Sequence, residues 1–148
     1  MKLLNTLFSS KAGVAALILR VPVGLILAAH GAQKLFAWFG GYGLEGTGQW
    51  MASIGLEPGY WLAMMAGSAE FFGGIALAIG LLTRPAAVVA GFTMMIAIFS
   101  VHISNGLFMA NNGYEYALTL LVVTTVLAIQ GAGSFSLDNV LAKKLANK

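Results

Sequence analysis

Six ionisable residues stand inside or at the edge of stretches that are otherwise apolar. Arg20, His30 and Lys34 lie within RVPVGLILAAHGAQKLF, Glu70 in a second apolar stretch, His102 at the end of a third and Glu115 at the start of a fourth. Such groups are costly in an apolar span unless they are paired or put to use, so each is a candidate for chemistry. An imidazole or a carboxylate there can hand over protons, and an ammonium or imidazole can donate hydrogen bonds to the oxygens of a ligand. His30, His102 and Glu115 are therefore the candidate catalytic residues, and His30, Lys34 and His102 the candidate cofactor-binding residues.

Helical geometry sorts these residues by face and by depth. At about 100° per residue, Arg20, Gly24, Leu27, Gly31 and Lys34 fall within about 40° of one direction, with His30 about 80° away. The second stretch presents Ala63, Ala66, Gly67, Gly73 and Gly74 around Glu70, small residues that let helix backbones approach in a bilayer. Arg20 comes roughly 12 Å from the inner end of its span and Glu70 roughly 15 Å from the outer end of its own. In a hydrocarbon core about 30 Å thick these depths nearly coincide, so a structural ion pair between Arg20 and Glu70 is expected. That pair either fixes helix register or takes part in gating protons or orienting a ligand.

His30, Lys34, His102 and Glu115 fall nearer the outer surface, on three different spans. One reading has Lys34 snorkelling, His102 bonded to a loop carbonyl and Glu115 exposed at a helix start that suits its charge. The other has them lining an outward-facing polar pocket. Two histidines are thin support for haem, so haem is not expected, and the pattern gives no better support to a metal site. The Met94-Met95 and Phe71-Phe72 pairs read as packing.

The elements that must position these residues follow from composition. The chain has 148 residues, 59% hydrophobic and 9% charged, with a mean hydropathy of +0.86, which marks an integral membrane protein. Four apolar stretches, about 12–39, 60–82, 86–104 and 114–131, are each near the length of a helical span. The expected fold is all-α: a transmembrane four-helix antiparallel bundle filling one domain over residues 1–148. Lys2 and Lys11 precede the first span as in a secretory signal, but Arg20 interrupts the run and no small-residue cleavage pattern follows, so that span is read as retained. Lys2, Lys11, Arg84, Lys143, Lys144 and Lys148 fall on one side of the four-span arrangement, which makes both termini cytoplasmic. Topology accounts for these charges, and no basic face for nucleic acid remains.

The connections carry their own signals. Gly41-x-Gly43-x-x-Gly46 has the form of a dinucleotide-binding pattern but follows a helix rather than a strand, so that function is excluded. Thr47 as N-cap with Trp50, Met51 and Ile54 at helical spacing predicts a short amphipathic helix in the first outer loop. Trp38, Phe39, Tyr42, Trp50, Tyr60 and Trp61 would form an aromatic belt. Pro85 suits the first turn of the third helix, and Ser136 suits the N-cap of an amphipathic cytoplasmic tail over 136–148. In that tail Leu137, Val140, Leu141 and Leu145 share one side, with the lysines opposite. The chain has no cysteine, which removes thiol–disulfide chemistry and thiolate-bound iron–sulfur clusters.

The motifs resemble the DoxX family of small bacterial membrane proteins. The resemblance rests on Arg20…Gly24…His30-Gly31…Lys34-Leu35-Phe36, Glu70-x-x-Gly73-Gly74…Gly80-Leu81-Leu82-Thr83-Arg84, Asn105-Gly106…Asn112-Gly113-Tyr114-Glu115-Tyr116, and Gly131-x-Gly133-x-x-Ser136-Leu137-Asp138. It implies a four-helix protein of the bacterial cytoplasmic (inner) membrane, with some relatives associated with quinone-linked oxidation of thiosulfate or with membrane oxidoreductase complexes.

The leading expectation is an accessory component of a quinone-linked redox system, with a quinone or small polar ligand held in the outer half of the bundle. His30 and Lys34 would donate to its oxygens, His102 and Glu115 would handle protons, and Arg20 with Glu70 would hold the scaffold. An enzymatic role, if present, would be that of a quinone-linked oxidoreductase component. The alternatives are a non-enzymatic assembly factor or subunit beside a membrane oxidoreductase partner or in a homo-oligomer, and a small transporter acting as an oligomer.

Overall fold

Six α-helices of ten or more residues make up the computed structural model, which describes residues 7–146 and contains no strand among them. They are α1 (Gly13–Phe36), α2 (Gly43–Ser53), α3 (Gly59–Ile79), α4 (Thr83–Ala97), α5 (Glu115–Gln130) and α6 (Leu137–Ala146). Lys2 and Lys148, used above for orientation, and the last two residues of the predicted tail lie outside the described residues. Three helical stretches, Gly13–Phe36, Gly59–Ile79 and Thr83–Asn105, are long and apolar enough to cross a membrane, and the apolar α5 is shorter. Their flanks expose large apolar side chains, among them Ile18, Leu25, Met65, Phe72, Val88, Phe92 and Val122, as a surface facing hydrocarbon requires.

Antiparallel α1 and α3 meet through glycines. A Cβ on Gly24 would lie 2.5 Å from the Gly74 carbonyl oxygen, and one on Gly31 would lie 2.6 Å from that of Gly67. Backbones this close allow extensive dispersion contact without help from large side chains. The second pair, α4 and α5, meets where Gly91 faces Leu121 and Thr124. Ala16, Leu27, Leu77, Ala90, Met94 and Leu127 belong to the core between the helices.

The turn between α3 and α4 follows from Gly80, whose left-handed backbone (φ 69°) ends α3 while the Leu81 N–H reaches back to the Ala76 carbonyl at 2.9 Å. Pro85 falls in the first turn of α4, as expected. The first N–H groups of α4 are capped from a distance, because the buried Asp138 carboxylate accepts from Leu82 N (2.7 Å) and Thr83 N (2.9 Å). Ser136 caps α6 as expected, its Oγ accepting from Asn139 N at 3.2 Å. Asp138→Ala is expected to cost about 2 kcal/mol or more, since it leaves two inward N–H groups unpaired. Thermal unfolding in detergent checks this, with Asp138→Asn falling less because it keeps one acceptor.

The first outer loop departs from expectation in detail. Its helix begins at Gly43, four residues before the predicted N-cap, and Thr47 is buried inside it with Gly43, Gly48 and Met51. Trp50 and Ile54 are exposed rather than packed with Met51. The reason is Gly48, which sits against Gly59 and Tyr60 and turns that face toward the start of α3. Trp38, Phe39, Tyr42, Trp50, Tyr60 and Trp61 all lie exposed at this end, in and around α2.

Candidate functional site

Arg20 and Glu70 do not form the expected ion pair. Gly24 faces Gly74 and Ala78, and Gly31 faces Gly67 and Phe71, so this register sets Glu70 opposite the His30–Lys34 turn. Arg20 falls instead at the C-terminal end of α3, level with Leu77 and Ala78, roughly 10 Å along the helix from Glu70. The stagger arises because α1 starts beyond the end of α3, where Gly13 and Ala16 pack against Gly133.

Arg20 is 1% exposed, yet each of its five N–H groups has a carbonyl partner. Nε donates to Ala132 (2.9 Å), Nη1 to Leu77 (3.3 Å) and Ala78 (2.5 Å), and Nη2 to Ser134 (3.2 Å) and Phe135 (2.6 Å). The guanidinium thereby ties the C-terminal turn of α3 to the 132–135 loop, a cation where the helix dipole is negative. Arg84 does the same for α5, donating to the Ala128, Ile129 and Gln130 carbonyls.

Lys34 takes the place predicted for Arg20. Its Nζ donates to Glu70 Oε2 at 2.6 Å, with the glutamate side chain 5% and the lysine 25% exposed. His30, one turn before Lys34, is half-buried and lies within electrostatic reach of both. Its ring centroid is 6.2 Å from that of Tyr116, near the start of α5. The cluster is thus a buried carboxylate, a partly exposed ammonium with donors to spare, an imidazole and a phenol, contributed by α1, α3 and α5. Sequence reasoning assigned Glu70 to the scaffold and passed over Tyr116. The signal for Tyr116 was its polar-tipped ring beside Glu115 at the mouth of an apolar helix.

His102 and Glu115 are held by the connection between α4 and α5. The last turns of α4 widen into a π-turn at Ile98–His102 and tighten into a 3₁₀ turn at Ile103–Asn105. His102 Nδ1 is 2.8 Å from the Asn112 carbonyl oxygen, which assigns the proton to Nδ1. Glu115 Oε1 accepts from Met109 N at 2.7 Å. These two residues pin the 106–114 loop, and among the described residues no hydrogen bond or ion pair joins either to Lys34. Two grooves of about 290 and 300 Å³ on the helix flanks are apolar and lined by none of His30, Lys34, His102 or Glu115. Among the described residues no group of three or more His, Cys, Asp or Glu side chains is placed to hold a metal ion.

Comparison with known proteins agrees with this architecture. The chain is 34% identical over 135 residues to CatD of Bacillus subtilis (strain 168), a protein carrying a provisional oxidoreductase name, covering 90% of this chain and 92% of that one. It is 33% identical over 137 residues to the inner membrane protein YqjF of Escherichia coli (strain K12), covering 88% and 95%. An uncharacterised Haemophilus influenzae protein is 32% identical over 133 residues, covering 85% and 90%. No solved structure matches. The DoxX family model matches residues 15–103, from α1 through the turns that follow α4, and with its long apolar helices the chain is a multi-pass membrane protein that belongs to the DoxX family.

Proposed function

We propose that the chain is an accessory component of a quinone-linked redox system of the inner membrane, and that Lys34, Glu70, His30 and Tyr116 form its headgroup site. The observation that carries this reading is the Lys34–Glu70 pair, whose carboxylate is buried while its ammonium stays partly open. The α1–α3 interface is already held by glycine contacts, so an ion pair is not needed to close it, and ionisable groups kept at such cost point to a ligand or to protons. A quinone supplies carbonyl acceptors and takes up protons together with electrons. Lys34 Nζ has further N–H groups beyond the one given to Glu70, and the Tyr116 hydroxyl and His30 ring add donors. Glu70 and His30 pass protons, and electrons come from a partner oxidoreductase.

The same reading places α5 as a fourth span, with both termini cytoplasmic. The 16 residues of α5 reach about 24 Å, and the exposed Leu107, Phe108 and Met109 beside its outer end extend the apolar surface. Lys11, Arg84, Lys143 and Lys144 gather at the opposite end, as cytoplasmic loops require.

The test is protein extracted in native lipid, with co-purifying quinone measured by mass spectrometry and quinol-linked electron transfer measured in membranes. Lys34→Met is expected to lose bound quinone by about tenfold or more, the scale of one charge-assisted hydrogen bond. Glu70→Gln is expected to keep the quinone and slow electron transfer by about a hundredfold, the lower range for a lost proton-transfer group. Unchanged quinone in Lys34→Met, or none in the unaltered protein, would sink the reading.

A further inference from the structure

We propose that α6 and the apolar residues around its anchored end form a docking surface for the headgroups of an anionic phospholipid leaflet. Phe135 is 84% exposed, more than any other large apolar side chain described, and Leu82, Leu137 and Val140 are exposed with it. The Asp138 cap brings them together, since its carboxylate holds Leu82 N against the first turn of α6 while Phe135 lies just before that turn. Leu82 (φ 48°) and Phe135 (φ 53°) both adopt left-handed backbone, which bulky side chains seldom do. Here that conformation leaves both side chains exposed, an unfavourable end in water and a favourable one in the acyl boundary of a leaflet.

The face of α6 left open differs from the one expected. Leu137, Val140, Lys143 and Lys144 are exposed together, whereas Leu141 and Leu145 are partly covered. Apolar side chains flanked by lysines suit an interface where the stems lie in the boundary and the ammonium groups meet phosphates. Past Asn139, no side chain of α6 is hydrogen-bonded to the rest of the chain among the described residues. Lys11 is exposed at the same end. The acids do not compensate this charge. Asp138 is committed to the α4 cap, Glu70 is paired with Lys34, and Glu45, Glu57 and Glu115 lie at the other end of the helices. A cationic surface with protruding apolar groups, continuous with the flank of a membrane bundle, selects an anionic leaflet as its occupant.

This inference uses the membrane placement proposed above and none of the quinone-site residues. The cysteine-free chain allows Val140→Cys to carry a single fluorescent label, with the protein reconstituted in phosphatidylcholine vesicles or in a mixture of phosphatidylcholine and phosphatidylglycerol. Quenching by acyl-chain-brominated lipid is expected to be strong in the mixture and weak in phosphatidylcholine alone. The double change Lys143→Gln with Lys144→Gln is expected to shift the tail's partition away from the mixed leaflet by about thirtyfold at low salt, abolishing the difference. Equal quenching in both vesicles, or protection that follows protein density rather than lipid charge, as a second copy would give, overturns the proposal. Placement is checked separately with single cysteines at Glu45 and Val140, which an impermeant thiol reagent must reach from opposite sides of cell membranes. Quinone content is unaltered by either lysine change, so failure here and failure of the quinone reading are distinguishable.

Discussion

Gly31→Ala is expected to lower the stability of the bundle by about 3 kcal/mol, and Gly31→Leu to leave no folded protein. The first added carbon meets the Phe71 backbone nitrogen, the Gly67 carbonyl oxygen at 2.6 Å and the Phe71 Cα at 2.7 Å. All three are main-chain atoms, so no side chain can rotate away, and α1 and α3 must separate along their length. Gly24 and Gly74 are locked in the same way, a Cβ on either lying 2.5 Å from the other's carbonyl oxygen. Gly73 provides the internal control. Its Cβ would meet only the Ala86 carbonyl, at an ordinary 3.7 Å, and alanine there recovers up to about 1 kcal/mol of helix propensity. Thermal unfolding and size-exclusion profiles in detergent check the contrast: a large fall for Gly31→Ala beside no fall for Gly73→Ala. A Gly31→Ala protein that melts with the unaltered one would show that the two backbones are not in contact.

The faces of the helices were legible in the sequence, and their stagger was not. Arg20, Gly24, Leu27 and Gly31 share one face by simple rotation and are all buried, as are Ala63, Gly67, Glu70, Gly73 and Gly74 on α3. Rotation depends on spacing alone, whereas relative height depends on where two backbones come closest. Apolar boundaries do not carry that height, and α1 overshoots the C-terminal end of α3, so the partner of Glu70 is Lys34. The bland reading of His102 matches the contact found, a loop carbonyl, whereas Glu115 stands at a helix start but is half-buried and accepts from a loop N–H. The π-turn that ends at His102 has no marker in residue type, so the direction of that ring is not encoded in the local pattern. Asp138 left a usable clue, being the only acidic residue on the basic side of the four-span arrangement. Its target, the start of α4, depends on a long-range docking of the 131–138 segment that no local pattern encodes.

Arg20→Met is expected to destabilise the protein by about 3–5 kcal/mol, and Arg20→Lys to restore less than half of that. The methionine fills much of the volume, so the loss measures hydrogen bonding rather than a cavity. Without the guanidinium, the buried Ala132 carbonyl and the part-buried Ser134 and Phe135 carbonyls lose their Arg20 donors, and removing one partner of a buried polar set is costly. The Leu77 and Ala78 carbonyls at the end of α3 lose the cation that faces them. Lysine keeps the charge but brings three donors from one point, where arginine spreads five over a planar fork that spans two elements. The expected consequence is therefore local as well as global. The 131–139 loop should detach from α3 before the bundle melts, carrying Asp138 away from the start of α4. Hydrogen exchange reads this directly, as faster exchange at Leu82, Thr83 and Asp138 with the middle of α1 and α3 still protected. Uniform loss of protection across all helices would instead make Arg20 an indivisible part of the bundle core, with no separable inner clasp.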